Sequence, residues 1–254
     1  MSGRKGLKGD TGDGRKMQPA ENQVDAGEFK VNYASAGKGG IVILFHGSDH
    51  REDWHVWEPM LPLADSYGLL MPDFVGYGKS TRPAETPDHT AQAHVMRDFM
   101  ERMSVGRADL VGAGWGGQVA LELALSWPDS VRSLVLLASS YGDDQVRRLE
   151  KLRKPTLIVY AEDDMVTQLK AGYLLRDVIG TSRLEVLDAV AKDPTQSFTM
   201  SHKLEKFRAP RVLQLVRLFL SKPEAMVAEP PAMENELRGM ALRKESEGAG
   251  EGEA

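Results

Sequence analysis

The sequence of 254 residues contains no cysteine. This absence excludes disulfides, iron–sulfur clusters, thiolate zinc sites and thiol nucleophiles together. The sequence also lacks any apolar run near the ~18 residues that a membrane span needs. Apolar runs such as Ile41 to Phe45 have only the length of a strand. The first residues are basic and no apolar segment follows them. We therefore expect no secretory signal, no membrane span and an intracellular, cytoplasmic protein.

An excess of positive charge is absent: 32 Lys/Arg stand against 37 Asp/Glu, so the net charge is −5 and the isoelectric point is about 5.7. This balance argues against a nucleic-acid partner. The charge is uneven: residues 1–20 carry five Lys/Arg and two Asp/Glu, whereas residues 223–254 carry three and eight. We predict a disordered, Gly-rich basic head over residues 1–27 and a disordered acidic tail over residues 223–254. The tail is either solvated chain or an arm that binds a protein partner.

The body between these ends, residues 28–222, alternates strand-like and helix-like segments. This order predicts an α/β domain, with a mainly parallel central sheet and helices on both faces. The predicted strands cover residues 29–34, 41–45, 69–71, 109–111, 134–138, 156–160 and 184–187, and the predicted helices cover 54–66, 90–103, 118–127, 166–179 and 210–220.

Four segments whose residues could bind a ligand or take part in catalysis follow predicted strands. In an open parallel sheet, binding groups lie at the carboxyl ends of strands, so we expect these segments to meet at one edge. They are His46-Gly47-Ser48-Asp49, Pro72-Asp73-Phe74-Val75-Gly76-Tyr77-Gly78-Lys79-Ser80, Val111-Gly112-Ala113-Gly114-Trp115-Gly116-Gly117 and Tyr160-Ala161-Glu162-Asp163-Asp164.

In order and spacing these segments resemble the α/β-hydrolase superfamily, from about residue 31 to residue 220. The resemblance places Gly112-Ala113-Gly114-Trp115-Gly116 at the nucleophile elbow, whose pattern is G-x-S-x-G. The elbow centre is therefore Gly114, which has no side chain and cannot attack a carbonyl carbon. The flanking glycines remain, so this segment keeps the packing of an elbow and lacks its nucleophile.

The resemblance also implies an acid and a base. Ala161-Glu162-Asp163-Asp164 is similar to the superfamily's G-E-x-D stretch, which puts the acid at Asp164. Its alternative role is to cap the following helix. Lys192 stands where the base histidine is expected. The later His202 either reaches the site through an insertion or is an exposed histidine near a helix start, and we favour the second interpretation.

An oxyanion hole is implied by His46-Gly47 and the elbow. Its donors are backbone N–H groups, here those of Ser48 and Trp115, and these do not depend on side-chain type. We expect His46 itself to be structural. A pocket able to hold a small carbonyl compound or a small anion follows from this interpretation.

No cofactor or metal is expected. Gly112-x-Gly114-x-x-Gly117 matches the dinucleotide fingerprint by letter, but the next predicted strand runs into Ser139-Ser140-Tyr141 without the required acid. The six histidines form no obvious ligand cluster with acids. The gap from Ser139 to Pro155, between two predicted strands, has room for one short helix. The chain therefore looks like a small α/β-hydrolase without a lid.

Two functions remain open. The first, which we favour, is a non-catalytic binding or assembly protein. The superfamily includes such members; the N-myc-downstream-regulated proteins are similar in carrying a glycine-rich elbow without a working triad. The second is a hydrolase of small esters or amides with rearranged groups, using Asp164 and His202. A variant of the second is an engineered Ser-to-Gly protein, against which the altered base position argues.

Overall fold

A computed structural model describes residues 18–49, 52–189 and 202–228 of the chain. Predictions on Lys192, on most of the head and on the tail beyond residue 228 lie outside these residues.

An eight-stranded sheet forms the centre, with the strand order β1-β2-β4-β3-β5-β6-β7-β8. Strands β1, β2 and β4 pair antiparallel, and all other neighbours pair parallel. The predicted α/β fold with a mainly parallel sheet is confirmed. The strands are β1 (Ala20–Ala26), β2 (Phe29–Ala36), β3 (Gly40–Phe45), β4 (Tyr67–Pro72), β5 (Ala108–Ala113), β6 (Val131–Leu137), β7 (Thr156–Ala161) and β8 (Ser182–Leu187).

Helices follow the strands as the sequence order predicts. Asp88 caps the first α-helix, since its side chain accepts a 2.8 Å hydrogen bond from the backbone N–H of Ala91. The long 3₁₀ helix contains Pro59 and Pro62, which lack the N–H that an α-helix interior requires. The helices are a 3₁₀ helix (Trp54–Asp65), α1 (His89–Arg102), α2 (Trp115–Ser126), a 3₁₀ turn (Pro128–Ser130), α3 (Asp143–Leu149), α4 (Leu169–Val178), α5 (Leu204–Phe207), α6 (Ala209–Ser221) and α7 (Pro223–Ala228).

Two hydrophobic cores sandwich the sheet. On one face α1, α2 and α4 bury side chains such as Phe99, Leu121 and Leu175. On the other face the 3₁₀ helix and α6 bury side chains such as Trp57 and Phe219. Neighbouring strands in the centre are buried on both faces, which explains their unbroken apolar runs.

Two corrections concern the ends of the domain. Residues 20–26, assigned to the disordered head, form β1, which pairs along its whole length with β2. Residues 223–228, assigned to the disordered tail, form α7 and bury Pro223 and Met226. β1 is a polar edge strand. Backbone hydrogen bonds to β2 hold it in the sheet, and it buries little apolar surface.

The segment between β6 and β7 carries only the seven-residue helix α3. In the part of the chain that the structure describes, no helix has the length and apolar character needed to cross a membrane.

Candidate functional site

The elbow is a sharp turn between β5 and α2. Its centre, Gly114, has φ +52° and ψ −118°, a conformation that side-chain-bearing residues rarely adopt. The turn is held at both ends, because Gly114 N–H donates to Leu137 O at 2.9 Å and Gly114 O accepts from Ser140 N–H at 3.1 Å. The backbone geometry of an elbow is therefore present although the nucleophile is not.

The glycines around the elbow allow backbones to touch. A Cβ on Gly112 would overlap the backbone of Gly117, and a Cβ on Gly116 would overlap the backbone at the end of β3. A Cβ on Gly117 would meet the side chain of Ser139, which follows β6. These three positions accept no side chain without movement of the backbone or of Ser139.

Gly114 differs from these three glycines. The nearest atoms to a Cβ built on it are Nε2 and Cε1 of His202, at 3.1 and 3.5 Å. The space beside the α-carbon is thus open on the side where a nucleophile would project, and an imidazole nitrogen faces it.

Asp164 lies after β7, and hydrogen bonds hold its carboxylate. Oδ1 accepts from the backbone N–H groups of Val166 and Thr167 at 2.9 and 3.1 Å, and Oδ2 accepts from the Thr167 hydroxyl at 2.8 Å. Burial opposes its ionisation, but hydrogen bonds from His202 and Thr167 outweigh burial and lower the pKa of Asp164. Asp164 thus shapes the turn before α4 and keeps its charge.

His202 contacts both of these groups. Its Nδ1 lies 3.4 Å from Asp164 Oδ2, while its Nε2 points toward Gly114. Its side chain is 20% exposed, so the picture of an exposed histidine near a helix start does not describe it. His202 lies at the edge of the sheet where β5 and β7 end, beside Gly114 and Asp164. His202 therefore lies between Asp164 and the vacant side of Gly114.

His46 has a structural place in the loop after β3. It is fully buried, its Nδ1 lies 2.7 Å from Gly47 O, and its Nε2 accepts from Phe74 N–H at 3.0 Å. Burial lowers the pKa of His46, which favours the neutral ring that these two hydrogen bonds require. The ring also packs on Phe74 and Tyr77. His46 therefore fixes the loop that presents Gly47 and Ser48.

The expected oxyanion donors flank the vacant position. Trp115 is the first residue of α2, where backbone N–H groups have no partner within the helix. Ser48 lies in the opposite loop, and both residues line the same pocket as Gly114 and His202. The loop after β3 and the start of α2 therefore both border the pocket beside the vacant position.

The pocket has a volume of about 260 Å³, enough for a small molecule. Its lining also includes charged groups that sequence reasoning missed, Glu52, Lys203 and Glu205. Lys203 Nζ contacts Glu52 Oε1 at 2.7 Å and Asp49 Oδ2 at 3.2 Å. Burial raises the pKa of Glu205 to about 7, and Glu52 acts in the same direction. Neither glutamate has a periodic signal in the sequence, because each lies in or next to a short irregular segment.

A family model of the α/β hydrolase fold matches residues 40–153. The solved structure of a predicted CIB-like hydrolase from Thermoplasma acidophilum has TM-score 0.70 and 21% identity, covering 80% of this chain and 98% of that one. A mutant of the meta-cleavage product hydrolase CumD from Pseudomonas fluorescens IP01, complexed with acetates, has TM-score 0.70 and 18% identity, covering 82% and 98%. The chain belongs to the α/β-hydrolase superfamily.

Sequence relatives of this superfamily member align over part of its length. Fluoroacetate dehalogenase of Burkholderia sp is 36% identical over 120 residues, which is 45% of this chain and 39% of that protein. The 2-hydroxymuconate semialdehyde hydrolase of Pseudomonas sp. (strain CF600) is 32% identical over 127 residues, 46% and 43%. An uncharacterized protein of Mycobacterium tuberculosis (strain ATCC 25618 / H37Rv) is 31% identical over 214 residues, 76% and 61%. The chain thus spans less than two thirds of the length of each of these relatives.

One cluster of side chains of the types that bind metal ions lies outside the pocket. Among the described residues, His89, Glu122 and Asp144 hold ligand atoms within 4.8 Å of one another. Both carboxylate oxygens of Glu122, however, accept hydrogen bonds from the Arg148 guanidinium at 2.8 and 3.0 Å. A cation there would have to displace this guanidinium, so the arrangement suits an ion pair better than a metal.

Proposed function

We propose that this chain hydrolyses small esters by direct attack of a water molecule that His202 activates, without a covalent intermediate. One observation carries the proposal: His202 Nε2 faces the empty side of Gly114, 3.1 Å from the place of a Cβ. Water can stand where a hydroxyl nucleophile would otherwise project, within reach of this nitrogen.

The proposed reaction balances without a cofactor. Neutral His202 accepts a proton at Nε2 while the water oxygen bonds to the carbonyl carbon, and the carbonyl electrons move to oxygen. The N–H groups of Ser48 and Trp115 stabilise that oxyanion. Its collapse breaks the bond to the alcohol, which takes the proton from His202. Asp164 keeps the imidazole oriented and stabilises its positive charge.

Charges near the pair support this role for His202. Asp164 is 4% exposed and keeps a lowered pKa, so a charged acid faces Nδ1 throughout the neutral range. The relatives whose names include hydrolase are consistent with a hydrolytic function.

The expected rate is low. In a serine hydrolase, loss of the nucleophile costs about 10⁶ in turnover, and binding with the oxyanion hole retains roughly 10³–10⁴ over water. We expect this chain to work in that lower range, with no acyl-enzyme burst.

A second candidate function is binding of a small carbonyl compound without turnover. The identity of Gly114 favours it, since glycine removes both the nucleophile and the strain that a side chain would carry at φ +52°. Such a protein would keep the pocket for recognition alone.

Hydrolysis of p-nitrophenyl acyl esters tests the two functions. We expect slow turnover without a burst, reduced to background by His202→Ala and strongly reduced by Asp164→Asn. His55→Ala is the matched control, because His55 Nδ1 also contacts an aspartate, Asp53, at 2.9 Å but lies outside the pocket. Turnover that persists in His202→Ala refutes the proposed mechanism. Saturable ester binding without any turnover supports the second function instead.

A further inference from the structure

The pocket lining includes a cluster of charged side chains, here called its carboxyl-rich end: Asp49, Glu52, Lys203 and Glu205. Among the described residues this cluster has three carboxyl groups and one ammonium group. Lys203 contacts both Asp49 and Glu52, so its charge is shared between two acids.

Two carboxyl oxygens at this end have unmet hydrogen-bonding capacity. Glu205 is 2% exposed and Glu52 is 7% exposed, and in each the Oε2 atom has no hydrogen-bond partner among the described residues. Buried polar atoms are nearly always partnered, by protein, water or ligand. Lys203 uses Oε1 of Glu52 and leaves Oε2 open.

We infer that the carboxyl-rich end of the pocket, formed by Glu52 and Glu205 beside Lys203, selects esters that carry a positively charged group and excludes anionic ones. This inference rests on the proposed function, because it requires an ester whose carbonyl lies at Gly114 while its arm contacts these side chains. An ester with a cationic arm meets complementary charge there, whereas a neutral arm leaves the carboxylates uncompensated. Of the two ligand types that the sequence suggests, a carbonyl compound fits this surface and a small anion does not.

The groups facing Glu205 set the pH dependence of that selection. They are Glu52, which disfavours its ionisation, and His202 and Lys203, which favour it. Because burial raises the pKa of Glu205 to about 7, the acid gains its charge between pH 6 and 8. The preference for a cation should therefore rise over that interval.

Two esters of one shape isolate the charge. Acetylcholine and 3,3-dimethylbutyl acetate differ by a fixed positive charge, and 3-acetoxypropanoate supplies the anion. Calorimetric titration of the full chain at pH 8 should show roughly tenfold tighter binding of the cation than of the neutral ester, the scale of one charge contact in a half-buried site. The anion should bind more weakly than the neutral ester. The preference for the cation should fall at pH 6.

Variants connect the preference to these carboxyls. Glu205→Gln should reduce the preference to within about twofold of unity and remove its rise with pH, and Glu52→Gln should reduce it in part. Glu150→Gln, which changes an exposed glutamate at the end of α3, should leave it unchanged. Glutamine keeps the shape of glutamate, so a loss of preference with neutral-ester binding retained cannot arise from unfolding.

The outcomes separate this inference from the proposed function. Preferential binding of acetylcholine without hydrolysis leaves the inference standing and removes the hydrolytic proposal. Hydrolysis at equal efficiency for both esters, unchanged by Glu205→Gln, removes the inference and leaves the hydrolytic proposal standing. Tighter binding of the anion also overturns the inference.

Discussion

Replacing Gly114 with serine should turn this chain into a nucleophilic esterase. The hydroxyl would project into the space that His202 Nε2 faces, where a Cβ meets that nitrogen at 3.1 Å. This contact is close, so the ring has to move by a few tenths of an ångström, which a partly exposed imidazole can do. Asp164 remains on the other side of the ring, so the acid, base and nucleophile would stand in sequence.

The gain and its cost follow from this geometry. A side chain at φ +52° and ψ −118° should cost roughly 1–3 kcal/mol of stability. For a folded domain of this size that corresponds to a fall in Tm of roughly 2–12 °C. Loss of the serine nucleophile lowers kcat about 10⁶-fold in an evolved hydrolase. A serine at position 114 that restores part of the nucleophile's geometry should therefore raise turnover at least about 10²-fold.

Gly114→Ala is the matched control for Gly114→Ser. Alanine introduces the same Cβ and the same backbone strain without a hydroxyl, so both variants should lose similar stability. With p-nitrophenyl acetate, only the serine variant should release a burst of p-nitrophenol equal to the enzyme concentration, and His202→Ala should remove that burst. If serine and alanine variants hydrolyse the ester equally fast, the Asp164–His202 pair is not positioned for proton transfer.

Three further predictions concern stability. Asp164→Asn should destabilise the fold by about 1–3 kcal/mol at pH 7. Because the pKa of Asp164 is lowered in the fold, the difference in stability between the variant and the original chain should shrink as the pH falls below the ordinary aspartate range. Chemical denaturation measures this difference. Glu205→Gln should stabilise the fold by about 2–3 kcal/mol at pH 8 and by little at pH 5. In the unfolded chain this glutamate ionises near its ordinary pKa, whereas in the fold it stays protonated up to about pH 7, so stability is lost as the pH rises through that interval. An equal Tm gain at both pH values contradicts this. Gly112→Ala should lose more than about 3 kcal/mol, since its Cβ would overlap the backbone of Gly117; an unchanged Tm would show that the elbow can relax.

The repeated alternation of apolar runs and helical spacing was enough to predict the fold. Central strands such as β3 and β7 can be predicted from the sequence because their side chains are apolar on both faces. β1 was missed for the opposite reason: its residues are polar and mostly exposed, and it joins the sheet by pairing with β2. An edge strand of this kind has no local signal of its own.

The candidate site was predictable where it follows a strand directly. Gly114 and Asp164 each lie within three residues of the end of a strand, so their meeting follows from sheet order. His202 follows β8 only after a long segment, and chain spacing cannot determine where such a segment returns. The position of His202 beside Asp164 could be determined only from the three-dimensional structure. Glu205 was missed because burial of a glutamate on a four-residue helix depends on what packs around that helix.

The absence of a nucleophile does not by itself imply the absence of chemistry. Glycine at position 114 removes one group, but it leaves the elbow backbone, the charged acid and a base that faces the vacant position. Without a role in the pocket, His202 would not need to contact Asp164, since an imidazole that is 20% exposed can form hydrogen bonds with solvent. Asp164 already has three hydrogen bonds from its own turn, so the contact with His202 is not needed to satisfy the carboxylate. The contact is therefore better explained by a role for the imidazole in the pocket, as a base toward water or as a polar group toward a bound carbonyl compound. The response to His202→Ala decides between these roles, because removal of a base abolishes turnover whereas removal of a recognition group weakens binding.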